Sequence, residues 1–332
     1  LPAIGQRLSM PLPRGRRGAP LTTPVGAHPA RFRCQRVLLV GCGDVGMRVA
    51  ALLRGRVTVL ALTSSPGRLP ELRSAGIQPL TGNLDHAPTL RRLAGLATRL
   101  IHLAPPPGHG RRDPRTRALA CAIRRGTLPQ SWVYGSTSGV YGHCNGDITA
   151  ETRALNPDTP RAIRRIDAEA VVRGLGRSSG LTCCILRIPG IYASDRVDGT
   201  PQGRLLKGTP VLQAEDDVYT NHIQADDLAR ACVAALWRGK PGRAYNINDD
   251  TRLKMGDYFD LAATLFGLPK PPRISRDLAK QTLPPMQLSF MGESRRMDNQ
   301  RMKTELRLRL RYPTVRDGLL PVRTPDSGQA FA

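Results

Sequence analysis

The chemistry of this 332-residue chain begins at Gly41-Cys-Gly-Asp-Val-Gly46, a GxGxxG spacing. Between a strand and a helix such a run cradles a dinucleotide. Gly41 permits the tight turn, Gly43 lets a pyrophosphate approach the backbone, and Gly46 lets helix and strand pack closely. Asp44 and Val45 fall in the first helical turn, whose N–H groups face the phosphates. A second cluster, Ser64, Ser65 and Arg68, follows the next apolar run. An NAD site usually offers an acid here for the ribose 2′-hydroxyl. The segment "TSSPGR" has none. Two hydroxyls and a guanidinium suit a 2′-phosphate, so NADP is favoured over NAD; a surface turn capping the next helix is the plainer use. His102 and His222 are acid–base candidates that also fit core or polar roles. Asp226 and Asp227 read as a helix cap.

These groups need elements to hold them. The apolar run 36–40 predicts a strand before the glycines, and "MRVAALLRG" predicts a helix after them. Strand signals recur at 56–62, "IQPLTGNL", 99–104 and 131–134, alternating with helical patterns such as "APTLRRLAGL" and "DPRTRALACAIRRG". Repeated β and α units of this length imply an α/β protein, a Rossmann doubly wound parallel sheet with ligands at the carboxyl ends of its strands. The dinucleotide-binding unit is expected over 36–190, completed by about 221–250. From about Tyr192 strand signals thin out and loops grow, so a smaller C-terminal lobe is expected over 191–220 and 251–322, with a frayed tail over 323–332.

Composition narrows the class. The net charge of +24 raises a nucleic-acid reading. The basic residues are spread through every segment, however, and no zinc-finger spacing or RNA-binding aromatic motif accompanies them, so no specific nucleic acid is expected. No apolar run reaches the ~18–20 residues of a bilayer span. Seven cysteines form no CxxC pair, which fits a reducing cytoplasm and no metal. Residues 1–35 read as a disordered basic tail rich in Pro and Gly. An organelle transit peptide, or sequence ahead of a start near Met10 or later, fits it too.

After the strand at 131–134 the chain reads "GSTSGVYG" (135–142), followed by "LRIPGIYASDR" (186–196), "NHIQADDLARACVAAL" (221–236) and "AYNINDD" (244–250). These segments resemble the extended short-chain dehydrogenase/reductase superfamily, over about residues 36–322. With "LAPPP", "MGDYFDLAATLFGLPKPP" and "GESRRMDNQRM", the chain resembles an atypical bacterial group of NAD(P)-dependent epimerase/dehydratase proteins.

The resemblance implies oxidoreductase or nucleotide-sugar epimerase/dehydratase chemistry, a smaller C-terminal substrate lobe that covers the cofactor, a substrate of anionic or nucleotide-linked kind, and a homodimer. It implies that Leu103, Ala104, Ser136 and Pro189 line the cofactor and that Thr137 orients the substrate. The superfamily's proton carrier is a Tyr followed four residues later by a Lys, whose charge favours the phenolate. Here "PRAIRRIDAE" places Arg161 at the Tyr and Arg165 at the Lys. Arg165 retains donors for a ribose or phosphate, but a guanidinium does not release its proton. Tyr141 and Tyr192 are the substitute candidates for the proton carrier, although tyrosines in VYG-like turns usually pack the loop. A non-catalytic dinucleotide-binding sensor is the alternative to an enzyme.

Overall fold

A computed structural model describes residues 35–196 and 199–320. The expectations for the basic tail (1–34) and for 323–332 fall outside the described residues.

The glycine run is flanked as its sequence predicts, by β1 (Arg36–Val40) and α1 (Asp44–Leu53). There follow β2 (Thr58–Thr63), α2 (Leu69–Ser74), β3 (Gln78–Thr81), β4 (Arg99–His102), α3 (Pro114–Ile123) and β5 (Ser131–Thr137). The pattern "APTLRRLAGL" forms a 3-10 segment, Ala87–Leu93. The two-residue β6 (Ile148–Thr149) precedes α4 (Pro160–Ser179) and β7 (Thr182–Ile188).

Then come β8 (Gly190–Tyr192), α5 (Gln202–Leu206), β9 (Val211–Leu212), β10 (His222–Gln224), α6 (Ala225–Arg238) and β11 (Ala244–Asn246). The last elements are α7 (Met255–Phe266), β12 (Arg273–Ile274), α8 (Arg276–Thr282), α9 (Pro285–Met291), β13 (Arg296–Met297), α10 (Gln300–Glu305) and α11 (Val315–Gly318).

Seven strands form one sheet in the order β11-β7-β5-β4-β1-β2-β3, with every pair parallel. Its central strands are near-continuous apolar runs because both faces are covered. One face packs Val49, Ala50 and Leu53 of α1 and Leu228, Cys232 and Leu236 of α6 against Val37, Leu39 and Ile101. The other packs α3 and α4, through Leu119, Ile123, Val172 and Leu175, against Leu38, Val40 and Trp132. The strand order reverses between β1 and β4, and at such a switch point a crevice opens at the carboxyl ends of the strands.

A third apolar cluster gathers the segments after β7. Leu205, Val211, Val218, Met255, Phe259, Ala279 and Leu319 are its buried members. The two-stranded pairs β8·β10, β9·β12 and β6·β13 link these segments. The expected capping by Asp226 and Asp227 is corrected by α6, whose N-cap is Gln224. Asp227 is fully buried and accepts the N–H groups of Arg311 and Tyr312, so it fastens the chain's last described stretch. Among the described residues, no helix is long and apolar enough to cross a membrane.

Candidate functional site

A cavity of about 760 Å³ opens over the switch point, between the sheet and the third cluster. Its sheet side is the glycine turn. Gly41 has φ +90, and a Cβ there would overlap Ala104 N and stand 2.6 Å from Ala104 Cα. That backbone approach, not a ligand, is what excludes a side chain at Gly41. Gly46 is similarly tight, its Cβ position lying 3.0 Å from the Gly41 carbonyl oxygen. Gly43 is different: its φ is −80, and a Cβ there meets nothing within 4 Å. It is also the N-cap of α1 without any side-chain cap bond. The first N–H groups of a helix have no intrahelical partner. Here they adjoin open space, which fits a diphosphate.

Arg48 fixes this helix end. Its guanidinium pairs with Asp44 at 3.2 Å, Asp195 at 2.7 Å and Asp226 at 2.5 Å, joining α1, the loop after β8 and α6.

Of the candidate residues, Gly41, Gly43, Asp44, Val45, Gly46, Leu103, Ser136, Thr137, Arg165 and Pro189 line the cavity. Ser64, Ser65, Arg68, Ala104 and Tyr141 do not. Arg68 is held by Glu71, with both bonds at 3.0 Å, and by the Cys42 carbonyl at 2.5 Å. It therefore borders the glycine turn from behind. Ala104 is the stop against which Gly41 packs.

The helix α4 begins at Thr159, whose Oγ1 accepts the Ala162 N–H at 3.2 Å, with Pro160 in the first turn. The four-residue spacing puts Arg161 and Arg165 on one face, and both line the cavity. Arg165 Nη1 donates to the Gly135 carbonyl at 2.7 Å, to Tyr134 Oη at 3.1 Å and to the Ala104 carbonyl at 3.5 Å. It clasps the ends of β4 and β5 together. Thr137 Oγ1 accepts only the Gly139 N–H, at 3.3 Å, so its hydroxyl hydrogen is available to the cavity. Ser136 is spoken for, since its hydroxyl donates to Glu169 Oε1 at 2.6 Å.

The tyrosine substitutes are structural in this geometry. Tyr141 is 1% exposed; its hydroxyl donates to Asn246 Oδ1 at 2.7 Å and accepts from Arg187 at 2.9 Å. Burial pushes its pKa up to about 12, despite the opposing Arg187 charge. Tyr192 borders the cavity, but its hydroxyl donates to the Thr314 carbonyl at 3.2 Å, and burial raises its pKa. Burial also drives His102 and His222 down to about 3, so both are neutral near pH 7. His102 packs against Trp132 and Tyr134 in the core, whereas His222 faces the cavity stacked on Tyr258 at 4.1 Å.

The opposite wall carries residues that the sequence did not mark as site residues: Arg204, Met255, Tyr258, Phe259, Glu293 and Arg295. They come from α5, α7 and the stretch before β13, and only the fold brings them to face the glycine turn.

A family model described as the NAD dependent epimerase/dehydratase family matches residues 37–248. The chain belongs to that family. A solved structure of a functionally unknown conserved protein from Silicibacter pomeroyi is 30% identical, with a TM-score of 0.72 over 86% of this chain and 96% of that one. The UDP-glucose 4-epimerase of Thermotoga maritima shares the fold at 18% identity, with a TM-score of 0.70 over 86% of this chain and 96% of its own. Among curated proteins, an Arabidopsis thaliana trifunctional UDP-glucose 4,6-dehydratase/UDP-4-keto-6-deoxy-D-glucose 3,5-epimerase/UDP-4-keto-L-rhamnose-reductase is 26% identical over 145 residues, 41% of this chain. The match spans only 22% of that enzyme's length.

Proposed function

We propose that this family member binds NAD(P) in the cleft and uses it for oxidoreductase, epimerase or dehydratase chemistry on a small nucleotide-linked substrate. The observation that carries this reading is the continuity of the cavity, from the uncapped α1 N-terminus past Thr137 to the opposite wall. Solved relatives of the same fold hold NAD with UDP-glucuronic acid, as in the UDP-glucuronic acid 4-epimerase of Bacillus cereus. When bound, a nicotinamide supplies a hydride acceptor or donor. The chain's own part is then positional. The α1 N–H groups hold phosphate, the Thr137 hydroxyl orients a substrate oxygen, and Arg165 keeps the β4 and β5 ends in register while offering its remaining donors to a ribose.

Arg68 favours NADP, on the reading that a 2′-phosphate replaces Glu71 as its partner. The free state of the six cysteines among the described residues agrees with a cytoplasmic setting, and the family resemblance extends the proposal to a homodimer.

Arg161 cannot exchange a proton as the superfamily's Tyr does. That residue, with Arg165 beside it, favours a second reading: a dinucleotide sensor without turnover. Incubating NAD⁺- or NADP⁺-loaded protein with a panel of nucleotide sugars, while following reduced nicotinamide and product epimers, separates the two. The enzyme reading expects conversion that falls about a hundredfold in Thr137→Ala, the scale of losing one positioned donor. Tight cofactor binding with no conversion of any sugar leaves the sensor.

A further inference from the structure

The arginines lining the cleft are not equivalent. Arg295 donates to Glu293 at 2.7 Å, Arg196 pairs with Asp44 at 3.8 Å, and Arg165 donates to three oxygens. Arg204, in α5 on the wall opposite the glycine turn, has no such partner among the described residues. Its Nε and Nη2 are enclosed without a hydrogen bond, and its guanidinium carbon lies 4.4 Å from the centre of the Phe259 ring. Burial lowers its pKa, yet a guanidinium stays protonated in protein surroundings. Arg204 is half-buried, and a positive charge partly removed from water without a counter-ion is costly. The Phe259 face offsets only part of that cost.

Nothing in the folded chain is served by leaving this charge unpaired. The cleft it lines supplies a reason, because a ligand oxyanion would complete it. Elsewhere on the cavity lining, Glu293 is already paired with Arg295 at 2.7 Å, and Tyr258 and Thr220 are uncharged hydroxyls.

We propose that Arg204 is the anion-recognition residue of this cleft, taking a carboxylate or phosphate oxyanion of the substrate. The proposal deepens the NAD(P)-dependent reading and rests on it only for the word substrate. The anion site itself is defined by Arg204, Phe259 and the cavity. A guanidinium held against an aromatic ring has a fixed donor direction: with Nε and Nη2 enclosed, Nη1 is the nitrogen open to an oxyanion, a geometry that a flexible lysine would not reproduce.

The test is thermal unfolding of the full chain, first saturated with NADPH or NADH to fill the α1 end. It is then titrated with sodium pyrophosphate or with sodium malonate at an ionic strength matched with sodium chloride. At least one oxyanion is expected to raise the melting temperature beyond the chloride control. Arg204→Met is expected to weaken that response about tenfold or more, with Arg204→Gln as the second variant should the first not fold. Removal of the exposed Arg91, by Arg91→Ala, is expected to change nothing, which controls for the general positive charge. The unliganded Arg204→Met protein is expected to melt no lower than the wild type, since an uncompensated cation has been removed.

A response to pyrophosphate alone assigns a phosphorylated substrate, and a response to malonate alone a carboxylate. No response beyond chloride, or an equal response in wild type and Arg204→Met, overturns the proposal. So does a large fall in the variant's melting temperature with its anion response unchanged, which would make Arg204 a packing residue. If neither dinucleotide binds, the NAD(P) reading fails; the anion titration of the unsaturated protein then still decides Arg204.

Discussion

Two glycines two residues apart, Gly41 and Gly43, show how residue-scale geometry separates folding from binding. Gly41 has φ +90 and its Cβ position collides with the Ala104 backbone. Gly41→Ala therefore combines a left-handed penalty of roughly 1–2 kcal/mol with a steric one. Its melting temperature and its dinucleotide affinity should both fall. Gly43→Ala places its Cβ in open space at an ordinary φ. Its unliganded stability should stay within about 0.5 kcal/mol of wild type, while dinucleotide affinity drops at least tenfold because the methyl group occupies the diphosphate's approach. Unfolding curves and a binding titration on the same two samples check the pair. Equal effects of both substitutions on unliganded stability would remove the distinction.

A second residue-scale expectation concerns Asp249, 1% exposed, with Oδ1 accepting the Thr251 N–H at 3.0 Å and Oδ2 enclosed without a partner. Burial pushes its carboxyl up to about 7. An unfolded Asp ionises near pH ~4. Between those values the unfolded chain releases the proton and the folded one keeps it, so Asp249's contribution to stability falls as the pH rises from about 4 to 7. His102 and His222, neutral in the fold down to about 3, act in the opposite direction: their contribution is lost as the pH falls below the ordinary histidine value of about 6.5. The difference between wild type and Asp249→Asn isolates the carboxyl. The variant's advantage should grow across that window in urea unfolding, and a pH-independent difference would refute the assignment.

At the scale of elements, α4 matters less for its amino-terminal arginines than for Glu169. That carboxylate is fully buried and accepts from Ser136 at 2.6 Å, Arg187 at 3.0 Å and Arg173 at 3.2 Å. Arg187 passes the connection to Tyr141, and Tyr141 passes it to Asn246 in β11. One network thus ties α4, β5, β7 and β11 beneath the cleft. Glu169→Ala strands the Arg187 charge and should cost about 3–5 kcal/mol in equilibrium unfolding. A loss under 1 kcal/mol would mean that water replaces the carboxylate.

The elements were legible in the sequence wherever a period was long enough. The run 36–40 and the stretch 182–188 are largely apolar because both sheet faces are buried, and the glycine turn declares itself by spacing; the strand read at 131–134 continues to Thr137 through Gly135 and Ser136, which carry no strand pattern. The 3-10 geometry at Ala87–Leu93 was not legible, because a short apolar repeat does not distinguish it from an α-helix. Nor was the role of Asp227: a pair of acids at a helix start has the pattern of a cap, and only the return of Arg311 and Tyr312 to its carboxylate shows otherwise.

At the scale of the whole molecule, half of the candidate site lay beyond sequence reasoning. The glycine turn, Thr137 and Arg165 come from one contiguous α/β pattern. Arg204 comes from the short α5 and Tyr258 and Phe259 from α7, and as one arginine among fifty basic residues Arg204 carries no mark of its own. What singles it out is the lack of a partner, a property of the assembled fold.

The central claim, that this assembled cleft is a dinucleotide site, is tested most directly by calorimetric titration of residues 36–332 with NADH and NADPH separately, wild type beside Gly43→Ala. Saturable binding of at least one dinucleotide is expected, tighter for NADPH if Arg68 meets a 2′-phosphate, and at least tenfold weaker in the variant. Cooperatively folded protein that binds neither would contradict it, leaving the glycine turn as packing alone.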